Sequence, residues 1–202
     1  MCLWLCTSNI FRKNEWSVLI SPYYHDDISD SVRETDLIAE KQFNSARDFG
    51  TSSVQLNIQL FVECKYIKHQ IVFWFDKIDH NKAVINAEKE TSLVLAHNRS
   101  GDILPTELHH FANDVVAKLF STNSNKDDVI YKAMNQCLHS QIHYRKTGKK
   151  PIFKDFYAHR EVSTHVVQYP IIVCDNFENL LQVTFDENGG FNTQKLKDHF
   201  LL

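Results

Sequence analysis

Charged side chains lie inside two segments of this chain that are otherwise apolar and typical of β-strands. Asp36 directly precedes the apolar residues 37–39, and Glu63 and Lys65 lie near the end of the apolar segment 54–66. Burying an ionised group is costly unless a metal ion or an opposite charge compensates it. We therefore expect these residues to be kept for function.

The alternation of side chains along a strand places some of these groups together. Glu63 and Lys65 point to the same face of an extended strand, and Cys64 points to the other. If Asp36 lies on a neighbouring strand, two carboxylates and one ammonium converge. Such a cluster binds a hard divalent cation through oxygen and leaves a lysine beside a reacting water. Glu34 shares the face of Asp36 and is a further candidate ligand.

The order of these groups resembles the PD-(D/E)xK nuclease superfamily, which has the restriction-endonuclease-like fold. The resemblance is carried by Asp36 with Leu-Ile-Ala after it, and by an apolar strand that ends Val-Glu63-Cys64-Lys65. It covers residues 16–76, and residues 169–175 resemble a late core strand of some members. The resemblance implies an α/β fold with a restriction-endonuclease-like core, in which helices flank a central mixed β-sheet.

The same resemblance implies a metal-dependent endonuclease that hydrolyses phosphodiester bonds in DNA, in restriction, repair or defence. Asp36, Glu63 and the backbone carbonyl of Cys64 would hold one or two Mg²⁺ ions, with Mn²⁺ as a substitute. Lys65 would orient or help to deprotonate the attacking water and offset the charge that develops on the phosphate. A lysine can act as a base only if nearby cations or burial lower its pKa.

Three further residues are candidate auxiliary groups. Members of the superfamily often carry an acidic residue on the first helix, but residues 2–13 contain none, so Glu15 just after them is the candidate substitute. Glu34 would be an extra ligand or a group that orients Lys65. Gln136 resembles the glutamine that some relatives bring near the site.

A dense basic segment at residues 142–150 is the candidate surface for nucleic acid. Its basic residues Arg145, Lys146, Lys149 and Lys150 could hold a phosphate backbone. The formal net charge of −3 gives no global attraction to DNA, so binding would depend on such a local patch. The alternative is a set of cations that simply stabilise a helix C-terminus. DNA is the expected partner, with RNA left open, and a homodimer would let each site handle one strand.

Other interpretations compete with a nuclease. Glu63 and Lys65 could form an exposed ion pair, which contributes only about 0 to 1 kcal/mol. A nuclease-like module could also bind nucleic acid or a protein partner without cutting it. Cys137, His139 and His143 could offer zinc ligands, although no glutamate follows the first histidine and Cys137 belongs to an apolar stripe.

Length and composition favour one domain over residues 1–202 with a buried core, because 43% of the residues are hydrophobic. Five cysteines without a CxxC pair indicate reduced thiols in a cytoplasmic protein. The opening apolar residues are too few for a signal peptide. No segment approaches the about 18 consecutive apolar residues that a membrane span requires.

The pattern of apolar residues predicts the elements that position the site. We expect an N-terminal helix over residues 2–13, a turn at 188–190 and a short C-terminal helix after it. Residues 105–120 and 127–142 have the spacing of amphipathic helices. Strands are predicted over residues 16–24, 32–41, 54–66, 71–75, 165–175 and 180–185, with loops at 25–30 and 44–53.

Overall fold

The structure is a computed structural model that describes residues 2–27, 29–46, 53–77, 79, 81–82, 115–122, 129–146 and 162–196. The chain divides into two compact units. The first contains residues 1–67 and 124–176, and the second contains residues 68–123 and 177–202. The single domain expected from the length stays a prediction.

The described elements are two helices and ten strands. In chain order they are α1 (Leu3–Lys13), β1 (Ser17–Ile20), β2 (Tyr23–Asp26), β3 (Ser31–Glu34), β4 (Leu37–Ala46), β5 (Ser53–Lys65), β6 (Ile71–Lys77), β7 (Val115–Thr122), α2 (Val129–Lys146), β8 (Val162–Cys174), β9 (Leu180–Phe185) and β10 (Phe191–Lys195). Neither helix is long and apolar enough to cross a membrane, among the residues that the structure describes.

A mixed four-stranded sheet forms the centre of the first unit. Its strand order is β1-β4-β5-β8. β4 is antiparallel to β1 and β5, whereas β8 is parallel to β5. The register places Leu37 opposite Val62, so Asp36 and Glu63, one position further along, lie at the same end of the strand pair.

The two helices contact opposite faces of this sheet. On one face Leu37 and Val62 are buried in a cluster that includes Phe11 of α1. On the other face Ile38 and Phe61 pack against α2 through Cys137. Because side chains alternate between the two faces of β4 and β5, one set packs towards α1 and the other towards α2. The expected α/β class, with a mixed sheet and flanking helices, is confirmed at this level.

A two-stranded antiparallel ribbon, β2 and β3, interrupts the predicted strands. Residues 16–24 do not form one strand, because Ser21 has a positive φ of 50° and Pro22 lacks an N–H to pair. Asp26, expected in a loop, ends β2 instead. The predicted strand 32–41 also breaks, between β3 and β4. Asp36 therefore lies at a corner, where its carbonyl accepts a hydrogen bond from the Ser21 N–H at 2.9 Å.

The second unit contains a sheet with the order β10-β9-β6-β7, and its strands contradict two helix predictions over the residues that are described. Residues 115–122 form β7, antiparallel to β6, and residues 105–114 lie outside the described part. The β-branched Val115 and Val116 suit a strand, and pairing with the apolar β6 outweighs the helical spacing. After the turn, where Gly189 has a φ of 79°, residues 191–195 form a hairpin with β9 rather than a helix, and residues 197–202 lie outside the described part.

Candidate active site

Two carboxylates meet at the end of the β4–β5 pair. Glu63 faces α2 and is 1% exposed, whereas the Asp36 side chain is 30% exposed. The Cys64 N–H donates to Asp36 Oδ2 at 2.7 Å, and the Asp36 N–H donates to Glu63 Oε1 at 3.3 Å. These reciprocal hydrogen bonds fix the two acidic side chains on neighbouring strands.

Lys65 joins the two carboxylates. Its Nζ lies 2.7 Å from Glu63 Oε2 and 3.9 Å from Asp36 Oδ2. The Lys65 side chain is 20% exposed, so this cluster opens partly to solvent. The structure therefore brings together the three residues that the sequence singled out as catalytic. Their catalytic role stays a prediction.

Burial makes the charged form of Glu63 costly and raises the pKa of this residue. The hydrogen bond and charge of Lys65 oppose that shift, and the charge of Asp36 adds to it. A cation near Glu63 therefore stabilises its ionised form. Either a metal ion or the ammonium of Lys65 can supply that positive charge.

Cys64 contributes to the site through its backbone. Its Sγ lies 3.8 Å from Thr7 Oγ1, on the α1 side of the sheet. Burial raises the pKa of the Cys64 thiol to about 11, and the sulfur lies on the face of β5 opposite Glu63 and Lys65. The backbone carbonyl of Cys64 remains the predicted third oxygen for a cation.

The donor set suits a hard cation. Asp36 and Glu63 offer carboxylate oxygens on adjacent strands, which is the chemistry that Mg²⁺ prefers. Within the described ranges, no three His, Cys, Asp or Glu side chains group closely enough to hold a metal ion. A Mg²⁺ ion here would complete its six ligands with waters and substrate oxygens, as it commonly does.

The alternative zinc ligands on α2 have other partners. The Cys137 thiol donates to the Ile171 carbonyl at 3.5 Å, and His139 Nδ1 lies 3.0 Å from Asp26 Oδ2. The ring of His143 packs beside Tyr24, with centroids 5.8 Å apart. These contacts give no support to a zinc centre.

Two auxiliary candidates lie close to the peptide that carries Asp36. The Glu34 carboxylate accepts a hydrogen bond from the Tyr23 hydroxyl, which raises the pKa of Tyr23. Gln136 Nε2 donates to the Glu34 carbonyl at 3.5 Å. The Gln136 carbonyl in turn accepts from the Tyr24 hydroxyl at 3.3 Å. Gln136 thus holds the backbone before Asp36 through hydrogen bonds.

Glu15 lies away from the site. Its Oε2 is 3.7 Å from Lys41 Nζ, and its side chain is exposed. Lys41 is five positions from Asp36, about 17 Å at the rise of a strand. The structure does not bring Glu15 to the two carboxylates, so it does not replace the missing acidic residue of the first helix.

The described part of the basic segment is held by other side chains. Arg145 Nε donates to Gln168 Oε1 at 2.8 Å, and Lys146 Nζ donates to Asp27 Oδ2 at 3.1 Å. Arg145 is nine residues from Gln136 on α2, about 14 Å along the helix axis. Arg145 therefore lies away from the Gln136 part of α2, which is the part that contacts the backbone before Asp36. Lys149 and Lys150 lie outside the described residues.

No protein-family model matches this chain, and no curated protein or solved structure gives a significant match. The residues of the site and their geometry are therefore the basis on which a function can be inferred.

Proposed function

We propose that this protein is a metal-dependent nuclease with a restriction-endonuclease-like core, and that it hydrolyses phosphodiester bonds in DNA. One observation carries the proposal. Lys65 Nζ contacts the buried Glu63 carboxylate at 2.7 Å and the Asp36 carboxylate at 3.9 Å, at a partly exposed end of the central sheet. Two carboxylates and an ammonium at such a place match the needs of phosphodiester hydrolysis.

Asp36 and Glu63 would hold Mg²⁺, or Mn²⁺ in its place, together with the carbonyl of Cys64. When bound, the ion neutralises phosphate charge and lowers the pKa of a coordinated water. The Cys64 N–H holds Asp36 Oδ2 at 2.7 Å, which leaves Oδ1 as the natural oxygen for a cation. Orientation of the acidic side chains by the backbone limits the reorganisation that a reaction would require.

Lys65 would act on the substrate. Its ammonium has three donors and lies on a side chain that is 20% exposed, so it can donate to a phosphate oxygen or to the attacking water. Glu63 beneath it keeps the ammonium in place through the 2.7 Å contact. Positive charge next to the phosphate stabilises the transition state more than the ground state as negative charge develops.

A second candidate function is a nuclease-like module that binds nucleic acid or a protein without cutting. The observation that favours it is the short contact between Lys65 and Glu63. Because the ammonium already neutralises the buried carboxylate, the site is stable without a metal ion. DNA as the partner, and a homodimer that cuts both strands of a duplex, belong to the first proposal.

A cleavage assay tests the proposal. Wild type, Asp36→Asn and Lys65→Ala are incubated with plasmid, single-stranded DNA and RNA, each with Mg²⁺, with Mn²⁺ or with a chelator. Lys41→Ala is the matched control, because Lys41 lies on the same sheet and pairs with the exposed Glu15.

We expect cation-dependent cleavage by wild type and Lys41→Ala, and a loss of at least about 100-fold in both site variants. Equal activity in wild type and site variants would assign the cleavage to a contaminant and reject the catalytic proposal. Binding of nucleic acid without cleavage would establish the second candidate.

A further inference from the structure

A buried carboxylate outside the proposed site connects the ribbon to α2. Asp26, at the end of β2, is almost fully buried. Its Oδ2 lies 2.8 Å from Arg33 Nε and 2.6 Å from Ser29 Oγ, both in the ribbon or its turn. The same oxygen lies 3.0 Å from His139 Nδ1 on α2. Asp26 thus joins both strands of the ribbon to the helix.

The ribbon requires such a connection. β2 and β3 have four residues each, and a two-stranded ribbon of that length is marginally stable alone in water. Tyr24, on the same face as Asp26, adds one hydrogen bond to the Gln136 carbonyl of α2. Hydrogen bonds of a buried carboxylate also demand a defined geometry, in contrast to apolar packing.

The ribbon leads directly to the proposed site. β3 ends at Glu34, and its carbonyl accepts from Gln136 of α2. The Thr35 N–H donates to the Pro22 carbonyl at 3.2 Å, and the Ser21 N–H donates to the Asp36 carbonyl at 2.9 Å. The residues just before β2 and just after β3 are therefore bonded to each other. A shift of the ribbon on α2 would move the peptide that carries Asp36.

We propose that Asp26 is a positioning residue, which fixes Asp36 beside Glu63 by holding the β2–β3 ribbon on α2 through His139. Asp26 does not touch the substrate in this arrangement. This inference rests on the proposed function for its effect on catalysis, but the placement of the Asp36 segment can be measured without any activity. Misplacement of a catalytic group by about 1 Å can reduce a rate by about 100-fold.

The test uses variants of the full chain. Asp26→Asn keeps the shape of the side chain and removes its charge. His139→Ala removes the contact to α2 and keeps the Asp26–Arg33 pair, so it remains informative if Asp26→Asn does not fold. Asp30→Asn is the matched control, because Asp30 lies in the same turn, is exposed and pairs with His25. Hydrogen exchange is followed by mass spectrometry, and kcat and KM are measured on the substrate that wild type cleaves.

We expect Asp26→Asn and His139→Ala to accelerate exchange at least about tenfold in residues 31–37 and to leave residues 55–63 of β5 unchanged. We also expect kcat to fall by about 100-fold with KM close to wild type. Asp30→Asn should change neither quantity. Exchange in residues 31–37 that stays at the wild-type rate in both variants would overturn the inference, as would an equal acceleration throughout the first unit.

The kinetic result separates the two proposals. If wild type cleaves no substrate, the proposed function fails, and the exchange data alone decide whether Asp26 positions the Asp36 segment. If wild type is active and exchange in residues 31–37 rises while kcat is unchanged, Asp26 is a structural anchor and not a positioning residue for catalysis.

Discussion

Glu40 and Glu63 are two buried carboxylates on the same face of the same pair of strands. Glu40 on β4 is 3% exposed and Glu63 on β5 is 1% exposed, and both share the face that packs against α2. Glu40 accepts a 2.6 Å hydrogen bond from the amide of Gln59. Glu63 instead contacts the ammonium of Lys65 at 2.7 Å and lies beside Asp36.

The hydrogen-bond partners of Glu40 are supplied within the protein. Gln168 Nε2 donates to Gln59 Oε1 at 2.7 Å, and Arg145 Nε donates to Gln168 Oε1 at 2.8 Å. This chain of amides ends in a cation at the surface. Each amide both donates and accepts a hydrogen bond. This chain of amides therefore links β4, β5, β8 and α2 without a second acidic group.

The surroundings of Glu63 differ in charge and in access. A second carboxylate lies next to it, and both Asp36 and Lys65 are partly exposed. Like charges close together raise the free energy of the ionised pair, and the single ammonium of Lys65 offsets only one of the two carboxylate charges. Burial of a carboxylate alone therefore does not indicate catalysis in this sheet. Two carboxylates and an ammonium at an open strand end are the distinguishing features.

The largest expected effect comes from the same substitution at the two positions. Glu63→Gln removes a charge from the proposed site, and Glu40→Gln removes one from the amide chain. We expect Glu63→Gln to reduce kcat/KM by at least about 100-fold. Glu40→Gln should keep activity near that of wild type, because Glu40 is four positions from Asp36, about 14 Å at the rise of a strand. Initial rates under identical Mg²⁺ concentrations provide the measurement.

Similar losses in both variants would contradict the comparison. They would mean that the whole buried face, and not its end, determines activity. Circular dichroism and thermal unfolding of both variants would accompany the rates, so that a loss caused by unfolding is recognised.

Thiol reactivity measures how far solvent reaches the buried face of the sheet between Glu40 and Glu63. Cys137 of α2 packs with Ile38 and Phe61 on this face, and burial raises the pKa of its thiol to about 12. At pH 8 the thiolate fraction of Cys137 is then far below that of an ordinary thiol.

We therefore expect iodoacetamide to label Cys137, which is fully buried, at pH 8 only after unfolding in urea, with peptide mass spectrometry as the measurement. Labelling of native Cys137 at the rate of a free thiol would show that solvent reaches this interior. The contrast between a closed Glu40 region and an open strand end would then be lost.

Strand alternation was enough to predict which site residues share a face. Glu63 and Lys65 are two positions apart in β5, and the structure places their charged groups in contact. Asp36 lies beside Glu63 because β4 and β5, which follow each other in the chain, are also neighbours in the sheet. Consecutive strands commonly pair in this way. Local periodicity carries this information because both residues lie in or beside regular strands.

The corner at Asp36 and the role of Asp26 could not be predicted in this way. The corner depends on the positive φ of Ser21 and on hydrogen bonds between residues far apart in sequence. Asp26 lies among polar residues that are typical of a loop, and its burial depends on α2, more than 100 residues later. The apolar residues of β7 fit both the helical and the strand period, and pairing with β6, which the sequence does not show, decides for the strand.

A moderate effect on stability is expected from the amide chain. Gln59→Leu removes the donor to Glu40 and the acceptor of Gln168 in one step. Loss of such hydrogen bonds at a buried site costs about 1–3 kcal/mol in the free energy of unfolding. Urea unfolding followed by tryptophan fluorescence measures it.

Gln42→Leu is the control for that substitution, because Gln42 lies on β4 with its amide donating to the exposed Asn44. It should change the free energy of unfolding by much less than Gln59→Leu. If the two substitutions lower the free energy of unfolding equally, the amide chain does not stabilise the fold. Glu40 would then no longer contrast with Glu63 as a carboxylate held by structural hydrogen bonds.

The smallest expected effect is a pH dependence of stability that belongs to Glu63. Burial raises the pKa of Glu63 above its ordinary value of 4.5, so the folded state retains this proton to higher pH than the unfolded state. The folded protein then binds more protons than the unfolded one, and the contribution of Glu63 to stability falls as pH rises through the folded pKa. Glu63→Gln lacks this titration. We therefore expect the free energy of unfolding of Glu63→Gln, relative to wild type, to increase from pH 4 to pH 8.

Glu15→Gln, which changes an exposed carboxylate of the same unit, is the control and should show no such trend. Urea unfolding at each pH in the presence of a chelator measures the effect, because a cation bound to the carboxylates would stabilise the ionised form. A relative stability of Glu63→Gln that falls with rising pH would mean that Lys65 more than compensates the burial of Glu63. In that case Glu63 would resemble Glu40 as a satisfied carboxylate, and the ion pair would favour the binding module over the nuclease.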